Sequence, residues 1–126
     1  MIEFDKNPDV HFFLCRQCRA HIALDEEHLL IDVMNVGVIF SNAVNVEVED
    51  NPRRHIIAGI CTAAEARCSR CMLHLGWKFV RVPDEHFVFQ AGRFLLYLEC
   101  LMLWNGSKTF CPVEESESEE ENDTDG

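Results

Sequence analysis

The sequence predicts an all-β, antiparallel domain held together by one metal site, and three observations lead there. Short runs rich in β-branched and aromatic residues recur along the chain. Turn-forming residues separate these runs, and the pattern Cys-x-x-Cys occurs twice. The chain has 126 residues, of which 48% are hydrophobic, and no Pro- or Gly-rich spacer divides it. This length and composition fit one compact domain with tails.

Eight runs have the composition of strands. They lie at residues 9–14, 29–33, 37–40, 43–49, 55–60, 76–82, 86–89 and 92–104. Apolar and polar residues alternate over 44–49, which is typical of a strand with one face on a core. Loops are predicted at 49–54 and 82–85 from an Asn-Pro and a Pro-Asp pair. Residues 63–66 are predicted to be strand or loop, because four residues are too few for a helix.

The last run, residues 92–104, is apolar on both faces when it is read as one strand. Glu99 interrupts its apolar stretch, residues 94–104, and this stretch has about half of the ~20 residues that a membrane-spanning helix needs. We therefore interpret it as a strand and not as a membrane segment. Such a strand is either covered on both faces or forms a partner surface, and the buried interpretation is favoured.

Charge divides the chain into a folded part and tails. The net charge is −11, and residues 114–126 hold eight acidic residues and no basic one. Such a run cannot bury enough apolar surface to fold, so 106–126 is predicted as a disordered acidic tail, 11–105 as the domain and 1–10 as a short arm. The tail is a solubility segment or, alternatively, is phosphorylated at Ser116 and Ser118. An acidic tail repels phosphate backbones, which disfavours nucleic acid as a partner.

Cysteine use indicates the compartment and the chemistry. No secretion signal is visible at the N-terminus, so we expect the nucleus or cytoplasm and no secretion. Disulfides are disfavoured there, and paired cysteines indicate metal or redox chemistry. No nucleophile with its base, carboxylate pair or phosphate loop is visible, so we expect no enzymatic activity.

The repeated motif predicts one structural zinc ion bound by Cys15, Cys18, Cys68 and Cys71. Two Cys-x-x-Cys turns supply the four soft ligands of a closed, tetrahedral site. The pairs are 49 residues apart, so the ion would link an early hairpin to a later one and close a long loop. Structural zinc sites contribute on the order of 10 kcal/mol to folding, so metal loss should unfold the domain.

Two alternatives to a zinc site of four cysteines are open, and so is the role of the arginines beside it. His21 and His74 follow the two motifs at the same offset, and either could replace a cysteine, although packing or a hydrogen bond beside the site is favoured. A redox disulfide lacks the βαβ context that usually supports one. Four arginines lie beside the ligands in the sequence: Arg16, Arg19, Arg67 and Arg70. They either offset the negative charge of the thiolates or face solvent. Of the remaining cysteines, Cys61 and Cys100 are predicted to be buried and Cys111 to be exposed.

Five segments stand out in this order along the chain: CRQCRAHIAL, FSNAVNV, RHIIAG, CSRCMLHLGWKF and FQAGRF. In order and spacing they resemble the Yippee family of zinc-binding proteins, and the resemblance covers roughly residues 11–104. It implies a β-tent of two sheets, shared with the thalidomide-binding domain of cereblon and with certain centromere-licensing proteins. It also implies one zinc on the same four cysteines.

The resemblance implies two function classes. The favoured one is a non-enzymatic protein-interaction or adaptor module in nuclear, cell-cycle or ubiquitin-ligase-linked regulation, with a protein partner and without a membrane. The alternative is a small-ligand sensor. Cereblon-type relatives use a cage of three tryptophans, and here only Trp77 matches, so Phe79 and Phe40 would complete a reduced pocket. Segment 28–40 is shorter than in the family, which bears on any shared partner surface.

Overall fold

A computed structural model describes residues 1–33, 37–58, 61–83 and 90–112. Within these ranges no helix has the length and hydropathy needed to cross a membrane. Three short 3-10 turns lie at Asp25–Glu27, Pro52–Arg54 and Leu98–Cys100. The described strands are β1 (Phe12–Cys15), β2 (His21–Leu24), β3 (His28–Val33), β4 (Gly37–Phe40), β5 (Val46–Val48), β6 (Ile56–Ala58), β7 (Cys61–Cys68), β8 (His74–Arg81), β9 (Phe94–Tyr97), β10 (Leu101–Trp104) and β11 (Thr109–Phe110).

The strands form two antiparallel sheets, which confirms the predicted all-β class. The small sheet has the order β11-β10-β1-β2. The large sheet has the order β3-β4-β9-β8-β7-β5, and β6 pairs with the other half of β7. Every described pairing is antiparallel. The long central pair β7–β8 extends from the second cysteine motif to the opposite end of the large sheet.

The main core lies between the two sheets. The small sheet contributes Phe13, Ile22 and Leu101, and the large sheet contributes Phe40 and Leu96. The rings of Phe13 and Phe40 meet edge to face, with centroids 5.1 Å apart. Because edge-to-face rings favour one relative orientation, this contact helps to fix how the sheets pack.

The prediction of one strand over 92–104 is wrong, although its interpretation as buried chain is supported. The 3-10 turn at Leu98–Cys100 breaks the run, so that β9 lies in the large sheet and β10 in the small one. Leu96 and Leu101 are both completely buried in the same core. A run that is apolar on both faces is thus accommodated by crossing from one sheet to the other.

Of the other predicted strands that lie within the described residues, 37–40 has its predicted ends and the rest have shifted ends. Two strands were not predicted. The new ones are β2, directly after the first cysteine motif, and β11, within the segment predicted as tail. Residues 63–66 lie inside β7. The predicted strand at 86–89 and the acidic run at 114–126 lie outside the described residues. The ordered chain therefore extends past residue 105, and the rest of the division into arm, domain and tail stays a prediction.

The N-terminal arm lies against the small sheet. The backbone N–H of Phe4 donates to His21 Nδ1 at 2.8 Å, and the Phe4 ring is 5.4 Å from that of Phe12. Trp104 Nε1 donates to the carbonyl oxygen of Asn7 at 3.2 Å. The arm therefore covers the face of the small sheet that points away from the main core.

Candidate metal centre

The four predicted cysteines converge on one point. Their sulfur atoms all lie within 4.8 Å of one another. Cys15 Sγ is 3.5 Å from Cys71 Sγ, and Cys18 Sγ is 3.4 Å from Cys68 Sγ. A tetrahedral zinc ion with bonds of about 2.3 Å holds its sulfurs about 3.8 Å apart. The four thiols therefore fit one zinc ion, each motif supplying half of the ligands.

The two motifs fold into the same turn, here called the first knuckle (residues 15–20) and the second knuckle (residues 68–73). In each knuckle, the backbone N–H of the first cysteine donates to the carbonyl oxygen of the residue five positions later. The backbone N–H of the residue after the second cysteine donates to the carbonyl oxygen of the first cysteine. The bonds are Cys15 N to Ala20 O, Arg19 N to Cys15 O, Cys68 N to Leu73 O and Met72 N to Cys68 O, all 2.8 to 2.9 Å. Arg19 and Met72 have matching positive φ of 69° and 65°. The repeated sequence is therefore a repeated structure.

A carbonyl from another part of the chain supports each knuckle. The N–H of Arg16 donates to Cys100 O, and the N–H of Ser69 donates to Asn45 O, both at 2.9 Å. The first knuckle joins β1 to β2 in the small sheet, and the second joins β7 to β8 in the large sheet. A metal ion bound here ties the two sheets together, which fits the expected link between an early hairpin and a later one.

The thiols of the metal-free chain differ in acidity. Burial raises the pKa of Cys15 and of Cys18, which favours their protonated forms. Burial also raises the pKa of Cys71, but the backbone N–H of Leu73 and hydrogen bonds with the other three thiols outweigh it and lower that pKa to about 7. Cys71 is therefore partly ionised near neutral pH, whereas Cys15 and Cys18 must release protons when zinc binds.

The four arginines beside the ligands do not have one common role. Arg67 Nη2 is 2.6 Å from Glu65 Oε1 and 3.9 Å from Glu49 Oε1, so carboxylates balance its charge. Arg16 is half-buried and its Nη1 donates to the carbonyl of Glu99 at 3.1 Å. Arg19 and Arg70 are exposed. The expectation that these residues face solvent therefore holds for Arg19 and Arg70.

Neither histidine belongs to the centre, so the alternative of three cysteines and one histidine is wrong. His21 Nδ1 accepts from the N–H of Phe4, and burial lowers the pKa of this imidazole, which favours the neutral form that can accept. His74 Nδ1 lies 2.7 Å from Glu65 Oε2. Within the described ranges, the group of possible metal ligands contains cysteines alone.

All seven cysteines are free thiols. Cys61, Cys100 and Cys111 are half-buried, so the expectation of burial for the first two holds in part and Cys111 is less exposed than predicted. Cys100 Sγ donates to the carbonyl of His74 at 3.4 Å, and burial raises the pKa of this thiol.

The three residues of the predicted ligand pocket lie in separate surroundings. Phe40 is completely buried in the main core, and Phe79 packs with Ile39 in a second cluster. Trp77 is half-buried, and its Nε1 donates to Tyr97 Oη at 2.7 Å. No cavity described for residues 1–33, 37–58, 61–83 and 90–112 is lined by all three. The pocket stays a prediction.

Asn45 is a supporting residue that sequence reasoning missed. Its Nδ2 donates to His21 O at 2.6 Å and to Ile2 O at 2.8 Å, and its Oδ1 accepts from the Ile2 N–H at 3.0 Å. Its φ is 57°, and asparagine is among the few residues other than glycine that readily adopt this conformation. The signal in the sequence was an asparagine among apolar residues just before a strand.

Comparisons with known proteins agree with this geometry. Residues 11–115 match the family described as "Yippee zinc-binding/DNA-binding/Mis18, centromere assembly". A yippee-like protein of Arabidopsis thaliana is 34% identical over 95 residues, covering 71% of this chain and 89% of the relative. Protein yippee-like 3 of Homo sapiens is 26% identical over 99 residues, covering 75% and 82%.

Two solved structures share the fold. The crystal structure of the Mis18 "Yippee-like" domain has a TM-score of 0.64 at 18% identity and covers 75% of this chain and 95% of that one. The C-terminal domain of Caenorhabditis elegans Dicer-related helicase 3, solved with a 5'-ppp 8-mer ssRNA, has a TM-score of 0.57 at 11% identity and covers 94% and 69%. At these identities both likenesses concern the fold alone.

Proposed function

Because this chain belongs to the Yippee-Mis18 family of zinc-binding proteins, we propose that it is an adaptor, a protein-interaction module built around one structural zinc ion. Cys15, Cys18, Cys68 and Cys71 hold the ion. Four thiolates complete a tetrahedral shell and leave no position for a substrate or a reactive water, as in closed structural sites. The ion then supports folding and the surface carries the function, without an enzymatic reaction.

Native mass spectrometry of the full chain tests the metal role. One zinc ion per chain is expected, together with its loss and unfolding under a strong chelator and failure to bind in Cys68→Ser. Cys61→Ser is the matched control, because Cys61 also lies in β7 but packs in a separate cluster. A chain that stays folded after zinc is removed would contradict a structural ion.

The observation that supports an interaction role is a group of exposed apolar side chains at one end of the large sheet. Ile57 is 79% exposed and Val80 is 42% exposed. Ile57 pairs with Thr62, and Thr62 pairs with Arg81 next to Val80. Since neighbouring strands are about 4.8 Å apart, Ile57 and Val80 lie roughly 10 Å from each other. Exposed apolar patches of this kind commonly mark protein-binding surfaces.

The test replaces Ile57 or Val80 by serine in the zinc-loaded full chain and quantifies co-purifying proteins against wild type. Leu29→Ser is the matched control, because Leu29 is 40% exposed on β3, the opposite edge of the large sheet. Loss of the same partners in both test variants, at unchanged zinc content and melting temperature, is expected. Equal loss in the control, or no loss, would contradict the assignment of this surface.

For location, we propose the nucleus, the cytoplasm or both, with a role in nuclear, cell-cycle or ubiquitin-ligase-linked regulation. The support is the family description, which names centromere assembly for its Mis18 members. Imaging of the tagged full chain through the cell cycle tests this location. Confinement to secretory compartments would contradict it.

A further inference from the structure

The outer face of the large sheet, which points away from the main core, carries a row of polar and aromatic side chains. Ala66, Cys68 and Leu96 lie in the main core, and successive side chains of a strand point to opposite faces. Their neighbours therefore point outwards, and residues paired across strands share that face. The row, here called the outer strip, consists of Glu47 on β5, Glu65 and Arg67 on β7, His74 and Trp77 on β8, and Tyr97 on β9.

Contacts within the outer strip hold its side chains in place. Arg67 Nη2 lies 2.6 Å from Glu65 Oε1, and His74 Nδ1 lies 2.7 Å from Glu65 Oε2. Trp77 Nε1 donates to Tyr97 Oη at 2.7 Å. The centroid of the His74 ring is 5.2 Å from that of Trp77 and 5.7 Å from that of Tyr97. Because these side chains are already ordered, they lose little conformational entropy when a partner binds.

A groove lies at the acidic end of the outer strip. Its volume is about 360 Å³, and its lining residues are Glu47, Val48, Glu49, Asp50 and Arg67. Together with Glu65, which contacts Arg67, four carboxylates stand here against one guanidinium group. At the other end of the strip, Trp77 and Tyr97 are half-buried and keep part of their rings open to solvent. Tryptophan, tyrosine and arginine are the residues that most often dominate the binding energy of protein interfaces.

We infer that the outer strip binds a basic, extended segment of a partner protein. One basic side chain pairs with the carboxylates of the groove, and a second lies on the rings of Trp77 and Tyr97, since aromatic faces attract cations. The strand order β9-β8-β7-β5 separates Tyr97 from Glu47 by three strand spacings, or about 14 Å. An extended chain covers this distance in about four residues, so the two basic residues stand about four positions apart.

Charge favours this partner over other classes. The net charge of the chain is −11, which attracts basic segments from a distance and repels the phosphates of nucleic acids. A second copy that docked strip to strip would bring like charges together. The strip is also separate from the surface at Ile57, whose pairing partner Thr62 lies at the opposite end of β7 from Arg67. The inference therefore does not rest on the surface proposed above.

Two-dimensional NMR of the zinc-loaded full chain tests this contact, with the peptide acetyl-Arg-Gly-Ser-Gly-Arg-amide as the probe. The indole N–H signal of Trp77 and the backbone amides of Glu47 and Arg67 are expected to shift. The indole signal of Trp104 is the internal control and is expected to stay, because Trp104 lies on the small sheet and Lys6 Nζ is 4.8 Å from the centroid of its ring. The same peptide with glutamine in place of both arginines is expected to shift none of these signals.

Glu47→Gln tests the contribution of the groove. It removes one carboxylate and is expected to weaken peptide binding about threefold, the effect of one exposed ion pair. Glu26→Gln is the matched control, because Glu26 is also exposed but follows β2 of the small sheet. Zinc content is measured in every sample.

Three results would overturn the inference. The first is a Trp77 indole signal that stays in place, whether or not the amides of residues 114–126 shift, since binding there alone would be a general attraction to acidic residues. The second is an equal shift of the Trp77 signal by the glutamine peptide, which would mean that charge is not recognised. The third is equal weakening by Glu47→Gln and Glu26→Gln, which would mean that the groove has no special part in binding.

Discussion

Replacing Asn45 by alanine is expected to lower the free energy of unfolding by about 3 kcal/mol, a large effect for one polar side chain. Asn45 joins three parts of the fold. Its side-chain amide binds the arm at Ile2 and the start of β2 at His21, and its backbone carbonyl accepts from Ser69 in the second knuckle. Its φ of 57° is one that alanine adopts only at a cost.

The magnitude follows from these contacts. The hydrogen bond to His21 O is half-buried and contributes about 1 kcal/mol. The two bonds to Ile2 are exposed and contribute about 0.5 kcal/mol each, at the low end of the range. The left-handed backbone adds about 1 kcal/mol for alanine. Asn45→Gly loses the same hydrogen bonds without that backbone cost, so glycine should destabilise by about 1 kcal/mol less than alanine.

Urea unfolding of the full chain, followed by tryptophan fluorescence, measures these differences. Free zinc is held constant for all variants, because bound metal adds to the apparent stability. The expected order of midpoints is wild type, Asn45→Gly, Asn45→Ala. Equal losses in the two variants would refute the backbone argument, and a loss below about 0.5 kcal/mol in both would refute the hydrogen-bond argument.

Three further predictions concern the metal, a close backbone contact and the core. Because burial raises the pKa of Cys15 and Cys18, each of these thiols must release a proton when it binds zinc. Zinc affinity should therefore rise at least about 100-fold from pH 6 to 7. A rise of less than tenfold, measured by chelator competition, would contradict this. Gly76→Ala should destabilise by about 1–3 kcal/mol in urea unfolding, because a Cβ there meets the Leu95 carbonyl oxygen; an unchanged midpoint would argue against that close packing. Leu101→Ala, at a fully buried position, should lower the free energy of unfolding by about 2–5 kcal/mol and lower the melting temperature with it. Leu29→Ala, at an exposed position, should change the melting temperature little, and similar effects at both positions would count against this core.

The metal centre could be predicted from the sequence because its signal is local. Each Cys-x-x-Cys turn closes within six residues through its own backbone hydrogen bonds, so the spacing alone specifies half a site. The strand Gly37–Phe40 was predicted with its correct ends, since it is apolar throughout, lies between two others and is fully buried. In both cases the local sequence pattern matches the surroundings that the folded chain provides, a closed turn for the cysteines and a buried strand for residues 37–40.

The break at Leu98–Cys100 could not be predicted in this way. Residues 94–97 and 101–104 are both apolar throughout. The change of sheet between them depends on how the two sheets pack, which the local sequence does not specify. The strand His21–Leu24 was hidden for a similar reason, because its four residues directly follow the knuckle and pair with β1 after a register shift. The roles of His21 and His74 depend on Phe4 and Glu65, whose positions follow from the tertiary fold.

The place of β9 and β10 has a consequence for synthesis on the ribosome. β9 joins the β3–β4 hairpin to the rest of the large sheet, and β10 pairs with β1 in the small sheet. β10 ends at Trp104 and β11, the edge strand of the small sheet, ends at Phe110, so most of the chain must be translated before either sheet can be completed. Long-range strand pairing is slow and leaves strand edges exposed in the meantime. The nascent chain, with both cysteine motifs already made, therefore exposes unpaired strand edges until its last strands arrive.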